Sequence, residues 1–333
     1  MMEEIIAPID KELIKSELSE DRFLRDTNRA GNKIYVVDYQ CAPNTIKEIG
    51  RLREIAFRDG GGGTGTSCDI DKFDTDPAYG FKQLVLWDPD NECIIGGYRY
   101  ACLDEAVYDR FGQPILPSSH MFQFTRKFLN GKFLQTIELG RSFVAVEYQS
   151  TREDSKSLYA LDNLFDGIGS LIVLYNGRMK HFFGKMTTYP SYPQEALEMI
   201  LYFLNKHFGT KRGEKMVIIR HPVKVSSENR KKFSKIFLED DFYEDYKILK
   251  AEIHKFGVNI PPLVNTYMNM SPSMRCFGGG VNDEFGNVID TGIFLSFDEL
   301  KPEKTKRHVH LPEIHRMRIL NLRERISLLK KKI

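Results

Sequence analysis

Runs of β-branched and aromatic residues recur along the chain, separated by longer and more polar stretches, and each run predicts a strand. The same pattern contains no internal repeat and no low-complexity segment beyond a run of glycines at Gly60–Gly63. Seven strands are predicted in this way, at Ile34–Tyr39, Lys82–Trp87, Cys93–Cys102, Phe133–Val146, Met179–Tyr189, Met216–Arg220 and Val288–Phe297.

Between the strands, apolar residues at helical spacing predict helices. Asn44 is the predicted N-cap of the first one, because its side chain is of a type that accepts hydrogen bonds from the free N–H groups at the start of a helix. The clearest helices are Asn44–Phe57, Ser155–Leu174, Pro193–His207, Glu244–His254 and Pro262–Met268.

The order of these elements is mixed, because several strands follow one another before the next helix begins. A strict alternation of strand and helix would indicate a doubly wound parallel sheet, whereas this order predicts one mixed α/β sheet with helices on both faces. We predict three parts, an N-terminal arm (1–32), the main domain (33–300) and a C-terminal tail (301–333).

Composition is that of an ordinary water-soluble protein, with 41% hydrophobic and 28% charged residues. The longest apolar stretch, Ile168–Tyr175, is too short to cross a bilayer. The N-terminus has neither a basic region nor a sustained apolar segment of the kind found in signal peptides. We therefore expect a cytoplasmic protein.

Charge is unevenly distributed, although the whole chain carries only +2. Residues 301–333 contain eleven Lys or Arg and three Glu, which gives the tail +8 and leaves −6 for the rest of the chain. From Glu313 the tail predicts a basic amphipathic helix with an apolar stripe at Ile319, Leu322, Ile326, Leu329 and Ile333. Two interpretations stay open: binding to an anionic membrane surface, which would place the protein on the inner face of the cytoplasmic membrane, or packing on the domain. Nucleic-acid binding is not expected, because the body is acidic.

Several apparent motifs lack residues that their usual function requires. The segment Gly60–Ser67 resembles a phosphate-binding loop but has Thr66 where the lysine should be, so it predicts a mobile flap instead. The glycines at Gly278–Gly280 predict a turn or bulge. The five cysteines are scattered and predict reduced thiols, and the pair His308 and His310 lacks further ligands, so no metal site is expected.

Charged residues also occur where a sheet protein normally places apolar ones. Arg99 lies inside an apolar strand, and Glu138 and Arg141 lie inside another. A charge in the middle of a strand is costly to bury unless it is paired, so these residues either face solvent or join the nearby aspartates Asp71 and Asp74 in a network. The spacing alone is more typical of the solvent-exposed face of a half-exposed strand.

In their order, these segments resemble the acyl-homoserine-lactone synthases and the related ornithine-lipid and glycine-lipid N-acyltransferases of the GNAT superfamily. The likeness is strongest to the glycine-lipid type, which is sometimes labelled as hemolysins, and the synthases' tryptophan after the phenylalanine is missing here. The matching residues are Arg53 and Phe57, then Asp71 and Asp74, then Gly96 and Arg99, then Glu138 and Arg141 within Glu138-Leu-Gly-Arg-Ser-Phe-Val.

The resemblance implies a GNAT-like fold in which two central strands splay and expose backbone N–H groups to a thioester carbonyl. N-acylation also requires that a neutral amine loses a proton. Glu138 is the candidate acceptor of that proton, directly or through water. Arg141, close in sequence, is expected to lower the pKa of Glu138, so that a water relay or substrate orientation is an equal alternative.

Other motif residues receive roles in the same way. Arg99 and Arg141 are predicted to complete the catalytic group by binding the carboxylate of the acceptor, because a guanidinium group matches a carboxylate well. Asp71 and Asp74 are expected to orient these arginines. The remaining residues predicted for substrate binding or support are Arg53, Phe57 and Ser142.

The expected acyl donor is acyl carrier protein, with acyl-coenzyme A as the alternative co-substrate, and no permanently bound cofactor is expected. Acyl carrier protein is acidic, so basic residues are candidates for docking it, namely Arg126, Lys127 and Arg152. Arg152 lies in a loop before a predicted helix whose N–H groups would suit a pantetheine phosphate. The predicted function is transfer of a 3-hydroxyacyl chain to a small amino acid, glycine before ornithine. The alternatives are a synthase of N-acyl amino acid or homoserine-lactone-like signals and a non-enzymatic, hemolysin-like membrane protein.

Overall fold

The structure is a computed structural model, and it describes residues 2–149, 155–211, 214–238, 240–311, 315–316 and 318–322. Its ten strands in the described ranges are β1 (Phe23–Asp26), β2 (Lys33–Val37), β3 (Lys82–Asp88), β4 (Cys93–Cys102), β5 (Phe122–Phe124), β6 (Thr136–Val144), β7 (His181–Thr188), β8 (Val217–Ile219), β9 (Arg275–Asn282) and β10 (Val288–Ser296). The helices are α1 (Lys11–Glu17), α2 (Pro43–Asp59), α3 (Lys72–Thr75), α4 (Arg126–Leu129), α5 (Ser155–Leu174), α6 (Gln194–Phe208), α7 (Ser227–Ile236), α8 (Phe242–His254), α9 (Pro262–Met268) and α10 (Pro302–Lys304), with a π-helical turn at Thr305–Val309.

Eight strands form one mixed sheet in the order β1-β2-β3-β4-β6-β7-β10-β9, and β5 and β8 pair separately. All neighbours in the large sheet are antiparallel except β6 and β7, which run parallel. Helices cover both faces, with α5 and α6 in one hydrophobic cluster and α2 in another on the opposite side of the sheet. The predicted mixed α/β sheet with helices on both faces is confirmed.

The parallel pair β6–β7 separates along its length. Pairing runs from Thr136 with His181 to Leu139 with Gly184. Beyond these residues β6 continues to Val144 and β7 continues to Thr188 without pairing to each other. The two strands therefore diverge near the middle of the sheet and leave an opening between them.

All seven predicted strands and all five predicted helices are present, with ends that differ by a few residues. The strand predicted from Phe133 begins at Thr136, because Phe133–Gln135 forms a 3-10 turn. Segment 1–32, predicted as an arm, contributes α1 and the edge strand β1. The glycines at Gly278–Gly280 lie in a strand, β9, at a bulge opposite β10.

Two local predictions were wrong. The N-cap of α2 is Ala42, and Glu17 from α1 supplies the capping carboxylate by accepting hydrogen bonds from the backbone N–H groups of Asn44 (3.0 Å) and Thr45 (2.7 Å). The glycine loop after α2 is held in place, because the carboxylate of Glu54 accepts hydrogen bonds from the N–H groups of Thr64 (3.0 Å) and Gly65 (2.7 Å). These contacts fix the loop that the glycines alone predicted to be mobile.

The described part of the C-terminal segment packs on the domain. Ile319 and Leu322 are buried in the same hydrophobic cluster as α5. Arg318 lies 2.8 Å from Glu20 and its guanidinium carbon lies 4.7 Å from the ring centroid of Phe23. The predicted stripe residues Ile326, Leu329 and Ile333 lie outside the described residues.

No helix within the described ranges is both long enough and apolar enough to cross a bilayer.

Candidate active site

A cleft of about 370 Å³ opens on the face of the sheet that lies opposite α5. Its base is formed by β4, β6 and β7 next to the point where β6 and β7 diverge. Of the predicted site residues, four line it: Asp71, Arg99, Glu138 and Arg141. Its other lining residues include Lys72, Phe73, Phe81, His120, Lys185, Asn282, Glu284 and Phe285.

One wall of the cleft rests on a buried ion network that begins at Arg53 of α2. The guanidinium group of Arg53 donates to both carboxylate oxygens of Asp74, at 3.1 and 3.0 Å. Its Nε lies 3.1 Å from Oδ2 of Asp69. Arg53, Asp69 and Asp74 are all buried, so each charge depends on its partners for the solvation that water no longer provides. Arg53 itself is thus a supporting residue beneath the cleft.

Arg99 on β4 joins the same network. Its Nη1 donates to Asp71 at 2.7 Å and to Asp74 at 2.8 Å, and the amide of Gln83 donates to Asp74 at 2.8 Å. Although burial opposes ionisation, Arg53 and Arg99 hold the pKa of Asp74 well below its usual range. Asp71 and Asp74 also cap α3 reciprocally, which fixes both carboxylates relative to the sheet. The predicted contact of the two aspartates with Arg99 is therefore present.

Arg141 occupies a β-bulge in β6. The register between β4 and β6 shifts between Gly97 and Arg99, and Arg141 has a φ of +50° in the left-handed region. A bulge re-aims the side chain that it carries, and here the guanidinium group lies 3.1 Å from Asp69 through Nε. Its guanidinium carbon also lies 4.7 Å from the ring centroid of Phe285, within the range of a cation–π interaction.

The network is balanced in charge. Three guanidinium groups, from Arg53, Arg99 and Arg141, meet three carboxylates, from Asp69, Asp71 and Asp74. Such an arrangement keeps each ion paired without a large net field. The cluster therefore forms a rigid wall of the cleft and carries little surplus positive charge.

Glu138 lies at the base of the cleft on β6, and its neighbours in sequence, Ile137 and Leu139, belong to the hydrophobic cluster that contains α5. It is 4% exposed, and its Oε2 has no hydrogen-bond partner among the described residues. Burial raises the pKa of Glu138 to about 7. Hydrogen bonding to Ser118 and the positive charges of Lys185 and Arg99 favour a lower pKa and offset part of this rise.

The expectation that Arg141 lowers the pKa of Glu138 was wrong. The bulge turns the guanidinium group of Arg141 toward Asp69, so that desolvation governs the carboxyl group of Glu138. A carboxylic acid with a pKa near neutrality is a better proton acceptor than an exposed glutamate, and it is still substantially ionised at pH 7.

A second set of connected polar side chains borders the cleft, and it was not predicted from the sequence. Nζ of Lys185 on β7 lies 2.8 Å from Oδ2 of Asp290 on β10. The amide of Asn282 donates to the same carboxylate oxygen at 2.8 Å, and its Oδ1 lies 3.0 Å from Nε2 of His120. The signal that would have found Lys185 and Asp290 is the one used for Arg99, a charge inside an apolar strand.

Other predicted residues lie away from the cleft. Phe57 packs against Phe285, with ring centroids 4.9 Å apart, and so supports the cleft from behind. Ser142 follows Arg141 on β6 but is not among the residues lining the cleft. Arg126 and Lys127 begin α4, and Lys127 lines a different cleft with Lys132 and Arg275. Arg152 lies outside the described residues.

No cluster of His, Cys, Asp or Glu that could hold a metal ion is found within the part of the chain that the structure describes. The five cysteines are all free, and burial raises the pKa of Cys102 to about 12 and that of Cys276 to about 11. These thiols are therefore poor candidates for a nucleophile.

A mixed sheet with a diverging parallel pair, together with a buried carboxyl group beside the opening, is the architecture of an acyltransferase of the GNAT type. A family model described as "Acetyltransferase (GNAT) domain" matches residues 52–157, which include β3, β4, β6 and the ion network. The match confirms the predicted superfamily and the predicted enzyme class.

Two curated proteins named "Glycine N(alpha)-acyltransferase" are similar to this chain over most of its length. The protein from Phocaeicola vulgatus is 54% identical over 310 residues, which cover 92% of this chain and 93% of the relative. The protein from Bacteroides thetaiotaomicron is 53% identical over 308 residues, which cover 92% and 90% respectively. The chain belongs to the glycine N(alpha)-acyltransferase family. No solved structure matches it.

Proposed function

We propose that this enzyme transfers a fatty acyl group from a thioester to the α-amine of glycine, with Glu138 as the general base. The relatives' names support the acceptor. The observation that carries the mechanism is the buried carboxyl group of Glu138, with a pKa of about 7, at the opening between β6 and β7.

The opening between the diverging strands is the proposed site of the thioester. Beyond Leu139 and Gly184 the two strands no longer pair, so β6 backbone groups on that side are available to the acyl carbonyl. A Cβ atom added to Gly140 would meet no atom within 4 Å, which indicates free space immediately beyond Glu138. Backbone N–H groups that point at a developing oxyanion stabilise it without a covalent enzyme intermediate.

The reaction balances with one proton acceptor. The neutral amine attacks the thioester carbon, the C–N bond forms, the C–S bond breaks and the thiolate leaves. Glu138 takes the proton from the attacking amine, directly or through one water molecule. The acid form of Glu138 then protonates the leaving thiolate, directly or through the same water molecule, which gives the thiol and restores the carboxylate.

The arginines Arg99 and Arg141, predicted as ligands of the acceptor carboxylate, have their charges matched by Asp69, Asp71 and Asp74. We propose that they form the wall against which the substrates are positioned. Their contacts with buried aspartates support this role, because an ion pair removed from water is rigid when both partners have fixed backbones.

The proposed donor is an acyl carrier protein carrying a 3-hydroxyacyl chain. Two cations predicted to dock it, Arg126 and Lys127, lie on α4, beside a cleft whose lining also includes Lys132 and the ion pair of Arg275 with Glu214, at 3.0 Å. This basic surface suits an acidic carrier. Comparing kcat/KM for the carrier-bound thioester with that for the coenzyme A thioester tests the donor, and Lys127→Glu should lower only the former.

We also propose that the enzyme works at a cytoplasmic membrane surface, where its amphiphilic product would be released. The support is the sequence of residues 323–333, which carries five Lys or Arg and one Glu. Sedimentation with anionic vesicles, compared between the full chain and a chain ending at Leu322, tests this location. Binding that is equal in the two chains would contradict it.

Mass spectrometry of lipid extracts tests the reaction itself. A heterologous bacterium expressing the chain should contain a new N-acylglycine, which should be absent with Glu138→Gln and present with the exposed control Glu147→Gln. A new N-acyl-ornithine or N-acyl-homoserine lactone instead would change the acceptor. No new acylated amine despite folded protein would contradict the proposed function.

A further inference from the structure

Lys185 occupies a particular position at the base of the cleft. It is the first residue of β7 after Gly184, where the pairing with β6 ends. Glu138 is paired with Phe183, so Lys185 lies two residues further along the neighbouring strand and on the same face as Glu138. Both side chains line the cleft. An acceptor that reaches Glu138 therefore also reaches Lys185.

The ammonium group of Lys185 has room for a further acceptor. Its ionic partner is Asp290, at 2.8 Å, but that carboxylate also accepts hydrogen bonds from Thr187 at 2.6 Å and Asn282 at 2.8 Å. The other neighbour of Nζ is the sulfur of Met121, at 3.7 Å. A thioether is a weak acceptor, so one N–H of Lys185 makes a contact that a carboxylate would readily replace.

Arg99 and Arg141 differ from Lys185 in the number of carboxylates around them. Nη1 of Arg99 is shared between two aspartates, and Arg141 is held by Asp69 and by the ring of Phe285. Each arginine thus lies against two carboxylates, whose negative charge would repel a substrate carboxylate, whereas Lys185 lies against one. Lys185 would bind a substrate while keeping its contact with Asp290.

We propose that Lys185 binds the α-carboxylate of the amino-acid acceptor and thereby selects an acceptor that has one. This inference rests on the proposed function. In glycine a single carbon separates the carboxylate from the amine, so a carboxylate held by Lys185 places the amine beside the neighbouring Glu138. The unpartnered Oε2 of Glu138 is then the atom that receives the amine proton.

The experiment compares glycine with glycinamide, which has nearly the same shape but no negative charge. Initial rates of the purified enzyme with a 3-hydroxyacyl-carrier thioester are measured for both acceptors, and each rate is corrected for the fraction of neutral amine. The unmodified enzyme should prefer glycine. Lys185→Met should lower kcat/KM for glycine roughly 10- to 100-fold, the range for a hydrogen bond between charged groups, and should leave glycinamide within about threefold. The exposed control Lys180→Met should retain the preference.

Asp290 complicates the single variant, because Lys185→Met leaves its buried carboxylate without a cation. The double variant Lys185→Met/Asp290→Asn removes both charges and should show the same loss of preference for glycine. Its fold is checked by circular dichroism beside the unmodified enzyme. A double variant that is folded and still prefers glycine would overturn the assignment.

The remaining outcomes separate this inference from the proposed function. If Lys185→Met lowers the rates with glycine and glycinamide equally and shifts the pH profile, Lys185 acts only through Glu138 and the inference fails. If the unmodified enzyme acylates both amines equally well, it has no carboxylate site, although the acyltransferase function stands. If it acylates neither with any thioester, the proposed function fails and the inference fails with it.

Discussion

Replacing Glu138 by glutamine should abolish activity and at the same time stabilise the protein at alkaline pH. The carboxyl group is buried and its pKa rises from 4.5 to about 7 on folding. Between these two pH values the folded state binds a proton that the unfolded chain has released. The contribution of Glu138 to the free energy of unfolding therefore falls as pH rises through this window, and the cost is fully present above pH 7.

The magnitude follows from the size of the shift. A rise from 4.5 to about 7, at about 1.4 kcal/mol for each pKa unit, corresponds to a cost on the order of 3 kcal/mol at pH 8. Below pH 4.5 both states are protonated and the cost vanishes. The amide introduced by Glu138→Gln would have no proton to lose, so the variant should escape this pH-dependent cost.

Urea unfolding at pH 5 and pH 8 measures the effect. The gain in the free energy of unfolding from Glu138→Gln should be about 2–3 kcal/mol larger at pH 8 than at pH 5. The exposed variant Glu147→Gln is measured beside it as the control for loss of a surface carboxylate. A gain from Glu138→Gln that is independent of pH would show that the carboxyl group titrates normally, and would refute its assignment as a base tuned by burial.

Three further predictions follow from the site and the sheet. Below pH 7, log kcat/KM should fall with a slope near two per pH unit, because both the amine and Glu138 must be deprotonated; a slope of one, from the amine alone, would exclude Glu138 as the base. Asp74→Asn should destabilise the protein by roughly 3–5 kcal/mol in urea unfolding, since it leaves the three guanidinium groups with two carboxylates and so one unmatched buried charge; a change below about 1 kcal/mol would contradict the network. Gly96→Ala should lower stability by roughly 1–3 kcal/mol, because its Cβ would lie 2.5 Å from the carbonyl oxygen of Phe143; an unchanged unfolding midpoint would contradict this contact.

Much of the fold was predictable because the inner strands of the sheet are long runs of β-branched and aromatic residues. β4, predicted at Cys93–Cys102, has those bounds in the structure. β1 and β9 were missed in the sequence, each for a different reason. β1 has four residues and ends in Arg25 and Asp26, whereas β9 contains three glycines in succession, which lower strand propensity. Both are edge strands, whose pairing is decided by neighbours distant in sequence.

The site was predictable where a charge interrupts an apolar strand, as at Arg99 and Glu138. The direction of the pKa shift at Glu138 could not be predicted, because closeness in sequence does not establish contact. Arg141 is three residues away, yet the bulge directs it to Asp69. Lys185, like Arg99, is a charge inside an apolar strand, but it matched no motif. Only the register of β7 against β6 shows that it lies next to Glu138.

The most direct test of the account follows thiol release and N-acylglycine formation together, in the purified enzyme with glycine and a 3-hydroxyacyl-carrier thioester. The unmodified enzyme should form one N-acylglycine for each thiol released, and Glu138→Gln should lower both rates together by at least about 100-fold. Thiol release without N-acylglycine would show a thioesterase, and a Glu138→Gln enzyme with unchanged rates would contradict Glu138 as the base.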